Sequence, residues 1–173
     1  VFFITNIYLA RTLGVENFGL FTLAQTITYY FWLGADLGIN MYGIREITRH
    51  KNDMENIINP LLTIRITFGV LVFMLYTLLL LLFFSSMSFL HKFTFIGCGF
   101  YLFTSSFYID WILKGLEKFK LIALGSFASA LSFLIGIFWL VKDKNNIITA
   151  SFIWSFSFLF GGISLFLILR NKL

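Results

Sequence analysis

Long apolar runs alternate with short polar gaps along the whole chain. A short uncharged run covers residues 1–10. Five longer runs contain at most one charged residue each, at 18–44, 61–84, 93–113, 121–141 and 147–169. A membrane-spanning helix needs about 20 apolar residues, and the sequence LLLLLFF at 78–84 lacks the alternation of a barrel strand. The pattern predicts an all-α, polytopic transmembrane helix bundle with one partial and five complete spans.

The composition excludes a soluble or disordered chain. Hydrophobic residues make up 59% of the 173 residues and charged residues only 12%, whereas a typical globular domain is about 25% charged and disordered segments have low hydrophobicity. The net charge is +5. The basic residues lie mostly between the apolar runs, which is typical of loops that orient a protein in the membrane. We therefore expect no nucleic-acid partner. Cys98 is the single cysteine, which excludes an internal disulfide.

The basic residues are divided unevenly between the two sides that alternating spans define. Eight fall in the gaps at 45–59, 114–120 and 170–173, namely Arg45, Arg49, Lys51, Lys114, Lys118, Lys120, Arg170 and Lys172. Four fall in the gaps at 11–17, 85–92 and 142–146, namely Arg11, Lys92, Lys142 and Lys144. Cytoplasmic loops hold the excess of Lys and Arg. We therefore expect the first set, and the N-terminal side of the first helix, in the cytoplasm.

The beginning of the chain reads as the interior of a helix. Residues 1–10 are mostly apolar and follow no basic stretch or small-residue cleavage site, so they do not form a signal peptide. We expect the sequence to be a piece of a larger protein that starts partway through a membrane helix.

Two carboxylates lie inside predicted spans, where a charge costs about 2.5–3.5 kcal/mol on insertion scales. Asp36 is eight residues from the end of its span. It is a candidate for an ion or proton site, for the counter-charge of a basic side chain, or for a hydrogen bond between helices. Asp110 is three residues from its span end. We expect it to pair with Lys114 at i+4, with an ion pathway as the alternative.

Three arginines are candidates for binding an anionic substrate. Arg65 lies five residues into its span. Its guanidinium suits a pyrophosphate, and the alternative is a side chain that snorkels to the interface. Arg45 and Arg49 are four residues apart, so a helix places them on one face. They form either a basic entrance or a simple topology signal.

Tyr29, Tyr30 and Trp32 lie mid-span rather than at span ends, where interfacial aromatics are found. With Trp154 they could line a cavity and stack on sugar rings, or serve only in packing. No HExxH, GxGxxG or GxxxxGK[ST] motif occurs. We therefore expect no enzyme, no catalytic, metal or cofactor site, and a function in transport.

Three segments resemble bacterial polysaccharide flippases. The sequence ARTLGVENFG at 10–19 resembles the loop after the first helix of Wzx-like O-antigen and capsule transporters of the multidrug/oligosaccharidyl-lipid/polysaccharide exporter (MOP) superfamily. The sequence DLGINMYGIREI at 36–47 is similar to an acidic-Leu-Gly turn and Gly-x-Arg step of that family. The sequence KGLEKF at 114–119 is similar to its short loop after the fourth helix. The resemblance covers most of the chain and is strongest over residues 10–60.

The resemblance implies two six-helix lobes with alternating access, of which this chain supplies most of the N-terminal lobe and lacks the C-terminal one. It implies a bacterial inner membrane location, with membrane lipid and a polyprenyl-pyrophosphate-linked oligosaccharide as partners. The oligosaccharide is flipped outward for lipopolysaccharide O-antigen or similar polysaccharide biosynthesis. Some relatives use proton or sodium coupling. Asp36, Arg45 and Arg65 are the nearest candidates for cavity charges.

Three functions remain open at this point. The first is a flippase of an undecaprenyl-pyrophosphate-linked oligosaccharide. The second is a cation-coupled multidrug exporter of the same superfamily, which Asp36 fits equally well. The third is a membrane-embedded enzyme of envelope glycan synthesis, which the short gaps on the predicted outer side disfavour.

Overall fold

The computed structural model describes residues 1–50, 54–83 and 87–170. These residues form eight α-helices and no β-strand, which confirms the predicted all-α class. The helices are α1 (Phe2–Asp36), α2 (Ile39–Arg49), α3 (Met54–Phe83), α4 (Phe89–Gly99), α5 (Tyr101–Thr104), α6 (Asp110–Gly115), α7 (Phe119–Leu140) and α8 (Ile147–Arg170).

Four segments of the described chain are long and apolar enough to cross a membrane. They are Asn56–Phe83, Phe89–Gly115, Phe119–Leu140 and Lys144–Leu167. These segments overlap the last four predicted spans, and they make the chain a multi-pass membrane protein. Lys51 and Lys172, which contribute to the predicted charge bias, lie outside the described residues, as does residue 84 at the end of the predicted third span.

α1 is a helical hairpin whose two arms meet at Gly14. This glycine has φ +77° and ψ +169°, a conformation that glycine adopts readily. Asn6 and Gln25 line the same cavity, although a continuous helix would separate them by about 28 Å at 1.5 Å per residue. The chain therefore doubles back at Gly14. The first arm (2–13) and the second arm (15–36) lie side by side.

The hairpin turn is held against the link between α7 and α8. Asn17 Nδ2 donates a hydrogen bond to the Lys144 carbonyl oxygen at 2.8 Å. Tyr8 Oη donates to the Val141 carbonyl oxygen at 3.0 Å. The gap predicted at 11–17 is thus a tight turn within a helical segment rather than an extended loop.

The second predicted span ends earlier than the sequence indicates. The apolar pattern predicts one helix over 18–44, whereas α1 ends at Asp36. Leu37 and Gly38 both adopt left-handed backbone conformations, with φ +42° and +79°, and a right-handed helix does not continue through them. The predicted span is therefore corrected. Its last residues belong to α2, a short separate helix with one buried face.

The span predicted at 93–113 is also interrupted. After α4 and α5 the chain forms a 3₁₀ turn at Ser105–Phe107, and Tyr108 is extended at φ −82°, ψ +99° before α6 begins. Non-helical backbone at membrane depth is tolerated where protein buries it. The hydroxyl of Ser106 supports this arrangement by donating to the Arg65 carbonyl oxygen at 3.1 Å.

Two hydrophobic clusters hold the bundle together. The larger one joins α1, α3, α4, α5, α7 and α8, and it contains Phe21, Tyr76 and the fully buried Cys98. The smaller one joins α2 and α6 to α3, α7 and α8, with Ile47 and Trp111 near its centre. The helices α2 and α6, which follow the two interruptions, therefore share one core.

Glycines on α7 let α8 approach closely. A Cβ added at Gly125 would lie 2.3 Å from Leu165 Cδ2 and 2.4 Å from Leu165 Cγ. A Cβ at Gly136 would lie 2.7 Å from Ile153 Cγ2. Small residues at helix interfaces are a general device for close packing in membranes.

Gly125→Ala is expected to destabilise the protein by about 1–3 kcal/mol, because the added methyl group overpacks the interface with Leu165. The measurement is thermal unfolding of the complete purified protein in detergent. Gly34→Ala is the matched control, because a Cβ there meets no heavy atom within 4 Å and alanine favours the helix. Equal melting temperatures for the two variants would contradict the packing argument.

Candidate functional site

A buried arginine connects the two places where the predicted spans are interrupted. Arg65 lies on α3 and is only 9% exposed. Its Nη1 donates to Asn40 Oδ1 at 2.7 Å, and its Nη2 donates to the Ser105 carbonyl oxygen at 3.3 Å. Asn40 lies in the first turn of α2, directly after the interruption at 37–38. Ser105 is the first residue of the 3₁₀ turn that interrupts the span predicted at 93–113. The side chain turns into the bundle instead of snorkelling towards the interface.

Asn40 connects this arginine to a carboxylate. Asp36 is the last residue of α1 and is half-buried. Asn40 Nδ2 donates to Asp36 Oδ1, while Asn40 Oδ1 accepts from Arg65. A buried charge needs both a compensating charge and hydrogen bonds, and the single amide side chain connects the two groups. We call this arrangement the Asp36–Asn40–Arg65 network.

A small cavity adjoins the network. It has a volume of about 20 Å³, and Trp32, Asp36, Arg65 and Ser105 are among its lining residues. This space is enough for about one water molecule. In this arrangement the enclosed space beside the Arg65 guanidinium is therefore water-sized, and a role for Arg65 in binding pyrophosphate stays a prediction.

Trp111 covers Arg65 on the side of the smaller core. The Arg65 Cζ atom lies 5.9 Å from the centroid of the indole, within the range of a cation–π interaction. The indole is 1% exposed, and its buried Nε1 has no hydrogen-bond partner among the described residues. A Cβ at Gly43 would lie 2.5 Å from Trp111 Cε3. The absence of a side chain at Gly43 therefore leaves the space that the indole fills.

Asp110 lies at the start of α6, next to Trp111. Lys114 Nζ donates to Asp110 Oδ2 at 2.6 Å, with the lysine side chain 43% exposed. The predicted i+4 pair is confirmed. Among the described residues Asp110 has no hydrogen bond to the Asp36–Asn40–Arg65 network, but its charge acts on Arg65 together with that of Asp36. A role for Asp110 in an ion pathway stays a prediction.

The structure does not bring Arg45 and Arg49 into the network. Both are exposed on α2. The Arg45 Nε atom lies 3.8 Å from Glu46 Oε1, and its Cζ lies 5.6 Å from the centroid of the Tyr42 ring. These two arginines remain an exposed basic surface, and their part in substrate entry stays a prediction.

Three members of the site are absent from the sequence-based set of candidates. They are Asn40, the Ser105 carbonyl group and Trp111. Only Asn40 leaves a usable signal in the sequence, because it stands four residues after Asp36. The other two contact Arg65 because the span predicted at 93–113 is interrupted, and hydropathy does not reveal that interruption.

The mid-span aromatic residues have separate positions. Trp32 lines the small cavity beside the network. Tyr29 and Trp154 line a larger cavity and contact each other edge to face, with ring centroids 5.7 Å apart. Tyr30 is 72% exposed on the outer surface of the chain. Of the four aromatic residues that were candidates for lining one cavity, Tyr29 and Trp154 therefore do so together.

Discontinuous helices that meet at a buried ionised group are typical of membrane transporters. The class that this fold defines is a multi-pass membrane protein whose helices are interrupted around a buried charge. The chain matches the family described as "Polysaccharide biosynthesis protein" over residues 1–173. It belongs to that family.

Two similar relatives have the same description. The chain is 30% identical over 162 residues to the "Putative O-antigen transporter" of Escherichia coli (strain K12), covering 90% of this chain and 38% of that protein. It is 28% identical over 173 residues to the "Putative O-antigen transporter" of Shigella dysenteriae, covering 98% of this chain and 43% of that protein. The chain thus spans about two fifths of the length of these relatives. No solved structure matches it significantly.

Proposed function

We propose that the complete protein flips a lipid-linked oligosaccharide, built on undecaprenyl pyrophosphate, from the cytoplasmic to the outer leaflet of a bacterial inner membrane. The product would be used for surface polysaccharide. In this proposal the N-terminal side of the first helix is cytoplasmic. A second lobe of the same protein completes the central cavity, and the protein has no catalytic step.

The observation that supports the proposal best is the buried Arg65 at the junction of two interrupted helices, in a chain that belongs to a polysaccharide biosynthesis family. A charged side chain inside a membrane protein is costly and usually functional. Two relatives named as O-antigen transporters favour an amphiphilic glycan as the substrate.

The Asp36–Asn40–Arg65 network has a defined part in this proposal. By holding the start of α2 and the 3₁₀ turn at Ser105 together, it stabilises one of the conformations between which a transporter alternates. Asp36 borders a cavity of about one water molecule. A proton or sodium ion that reaches this carboxylate would weaken its attraction to Arg65 and allow the helices to move.

Loss of the gene tests this function directly. We expect surface polysaccharide to disappear and the lipid-linked oligosaccharide to accumulate in the membrane fraction. The readouts are immunoblotting of surface glycan and mass spectrometry of extracted lipids. Restoration by the plasmid-borne gene is the control. Normal surface polysaccharide together with altered tolerance to cationic dyes would instead support the multidrug exporter.

A further inference from the structure

A larger cavity lies between the two arms of α1, the link before α6, α7 and α8. Its volume is about 430 Å³, within the range of about 300–1,000 Å³ that is typical of small-molecule sites. It exists because the chain doubles back at Gly14 and brings Asn6 of the first arm and Gln25 of the second arm to the same space.

One wall of this cavity is a rigid set of aromatic rings. Trp154 is 3% exposed. It stacks on Tyr101 with ring centroids 4.9 Å apart, and it makes edge contacts with Tyr29 and Phe158 at 5.7 Å each. Aromatic rings offer a large apolar surface together with a polar tip. Such a wall suits a ligand that has one flat C–H face and hydroxyl groups at its edge.

Other parts of the lining are polar and uncharged. Asn6 and Gln25 each present an amide, which both donates and accepts hydrogen bonds, and among the described residues neither amide has a hydrogen-bond partner. Tyr108 Oη lies 3.0 Å from Ser126 Oγ beside them. No charged side chain of the described chain lines this cavity. A diphosphate and a cationic drug would both lack an opposite charge there.

We infer that this cavity binds the sugar rings of the transported glycan. The stacking surface is the exposed ring of Tyr29, which the buried Trp154 supports from behind, and Asn6 and Gln25 are the hydrogen-bonding groups. The inference rests on the proposed function. It adds a distinct glycan subsite, which is separate from the Asp36–Asn40–Arg65 network and contains no ionised group.

The test uses the complete purified protein and two lipids. One is the lipid-linked oligosaccharide extracted from the strain that lacks the gene, and the other is undecaprenyl pyrophosphate without sugar. The Asn6→Ala/Gln25→Ala double variant is expected to lose about tenfold in affinity for the glycosylated lipid, since two hydrogen bonds are removed. Its affinity for undecaprenyl pyrophosphate is expected to be unchanged.

Thr26→Ala is the matched control. Thr26 adjoins Gln25 on the same arm, but its hydroxyl donates to the Thr22 carbonyl oxygen of its own helix at 2.8 Å, and it does not line the cavity. This variant should bind both lipids as the wild-type protein does. Tyr29→Phe, which keeps an aromatic face, should retain more affinity for the glycosylated lipid than Tyr29→Leu.

The outcomes separate this inference from the proposed function. If the double variant binds both lipids like the wild type, or loses affinity for both equally, the glycan subsite is overturned while the flippase proposal stands. If the wild-type protein binds neither lipid, and loss of the gene leaves surface polysaccharide intact, both proposals fail. Selective loss for the glycosylated lipid alone supports the subsite.

Discussion

Arg65→Ala is expected to abolish surface polysaccharide when the variant gene is the only copy in the cell. The variant leaves Asp36 without its compensating charge and the Ser105 carbonyl oxygen without its donor. A hydrogen bond to a charged group is worth about 1.5–3 kcal/mol, and Arg65 donates the two described above. The measurements are immunoblots of surface glycan and of the protein itself in the membrane fraction.

Two further variants separate folding from transport at Arg65. Arg65→Lys keeps the charge but lacks the planar fork that reaches Asn40 and Ser105 together, so intermediate export is expected. Asp36→Asn/Arg65→Met removes both charges, and we expect it to restore protein abundance without restoring export. Full export by this double variant would make the network purely structural. Full export by Arg65→Ala would contradict its importance altogether.

Asn40→Leu is expected to reduce both abundance and export strongly, although it changes no charge. The amide is the group that accepts from Arg65 and donates to Asp36. Without it two ionised groups each lose a hydrogen bond, and a hydrogen bond to a charged group is worth about 1.5–3 kcal/mol. Abundance in the membrane and export in the complemented strain are the measurements.

Asn146→Leu is the matched control for this variant. Asn146 Nδ2 makes one hydrogen bond, to the Leu140 carbonyl oxygen at 3.3 Å, in an exposed position. The same chemical change there removes no contact to an ionised group, and near wild-type behaviour is expected. A similar loss of export for both variants would show that Asn40 has no special role.

Hydropathy predicts where the chain crosses the membrane because the length of an apolar run is a property of composition alone. It does not predict where a helix stops inside such a run. Leu37 and Tyr108 are ordinary members of apolar segments, yet one adopts φ +42° and the other is extended. The first interruption has a local cause in Gly38, because glycine readily adopts its φ of +79°, whereas no glycine or proline marks the second at 105–109. The predicted spans at 18–44 and 93–113 are therefore too continuous.

The candidate site is predictable only in part for a similar reason. Asp36 and Arg65 are recognisable in the sequence because a charge within an apolar run is conspicuous and costly. Arg65 bonds to Asn40, which is 25 positions away in the chain, and to Ser105, which is 40 positions away. No local pattern encodes such contacts. Arg45 and Arg49 carry the same charge as Arg65 but lie on the exposed face of a short helix.

The burial of Cys98 has a practical consequence for chemical labelling. It is the single cysteine of this sequence and is 0% exposed, so a bulky thiol reagent has no access to it in the folded chain. Within this stretch, a cysteine introduced at a surface position such as Val15, which is 92% exposed, would react without background. This stretch therefore contributes no reactive thiol of its own when introduced cysteines are used to map which side of the membrane each of its turns faces.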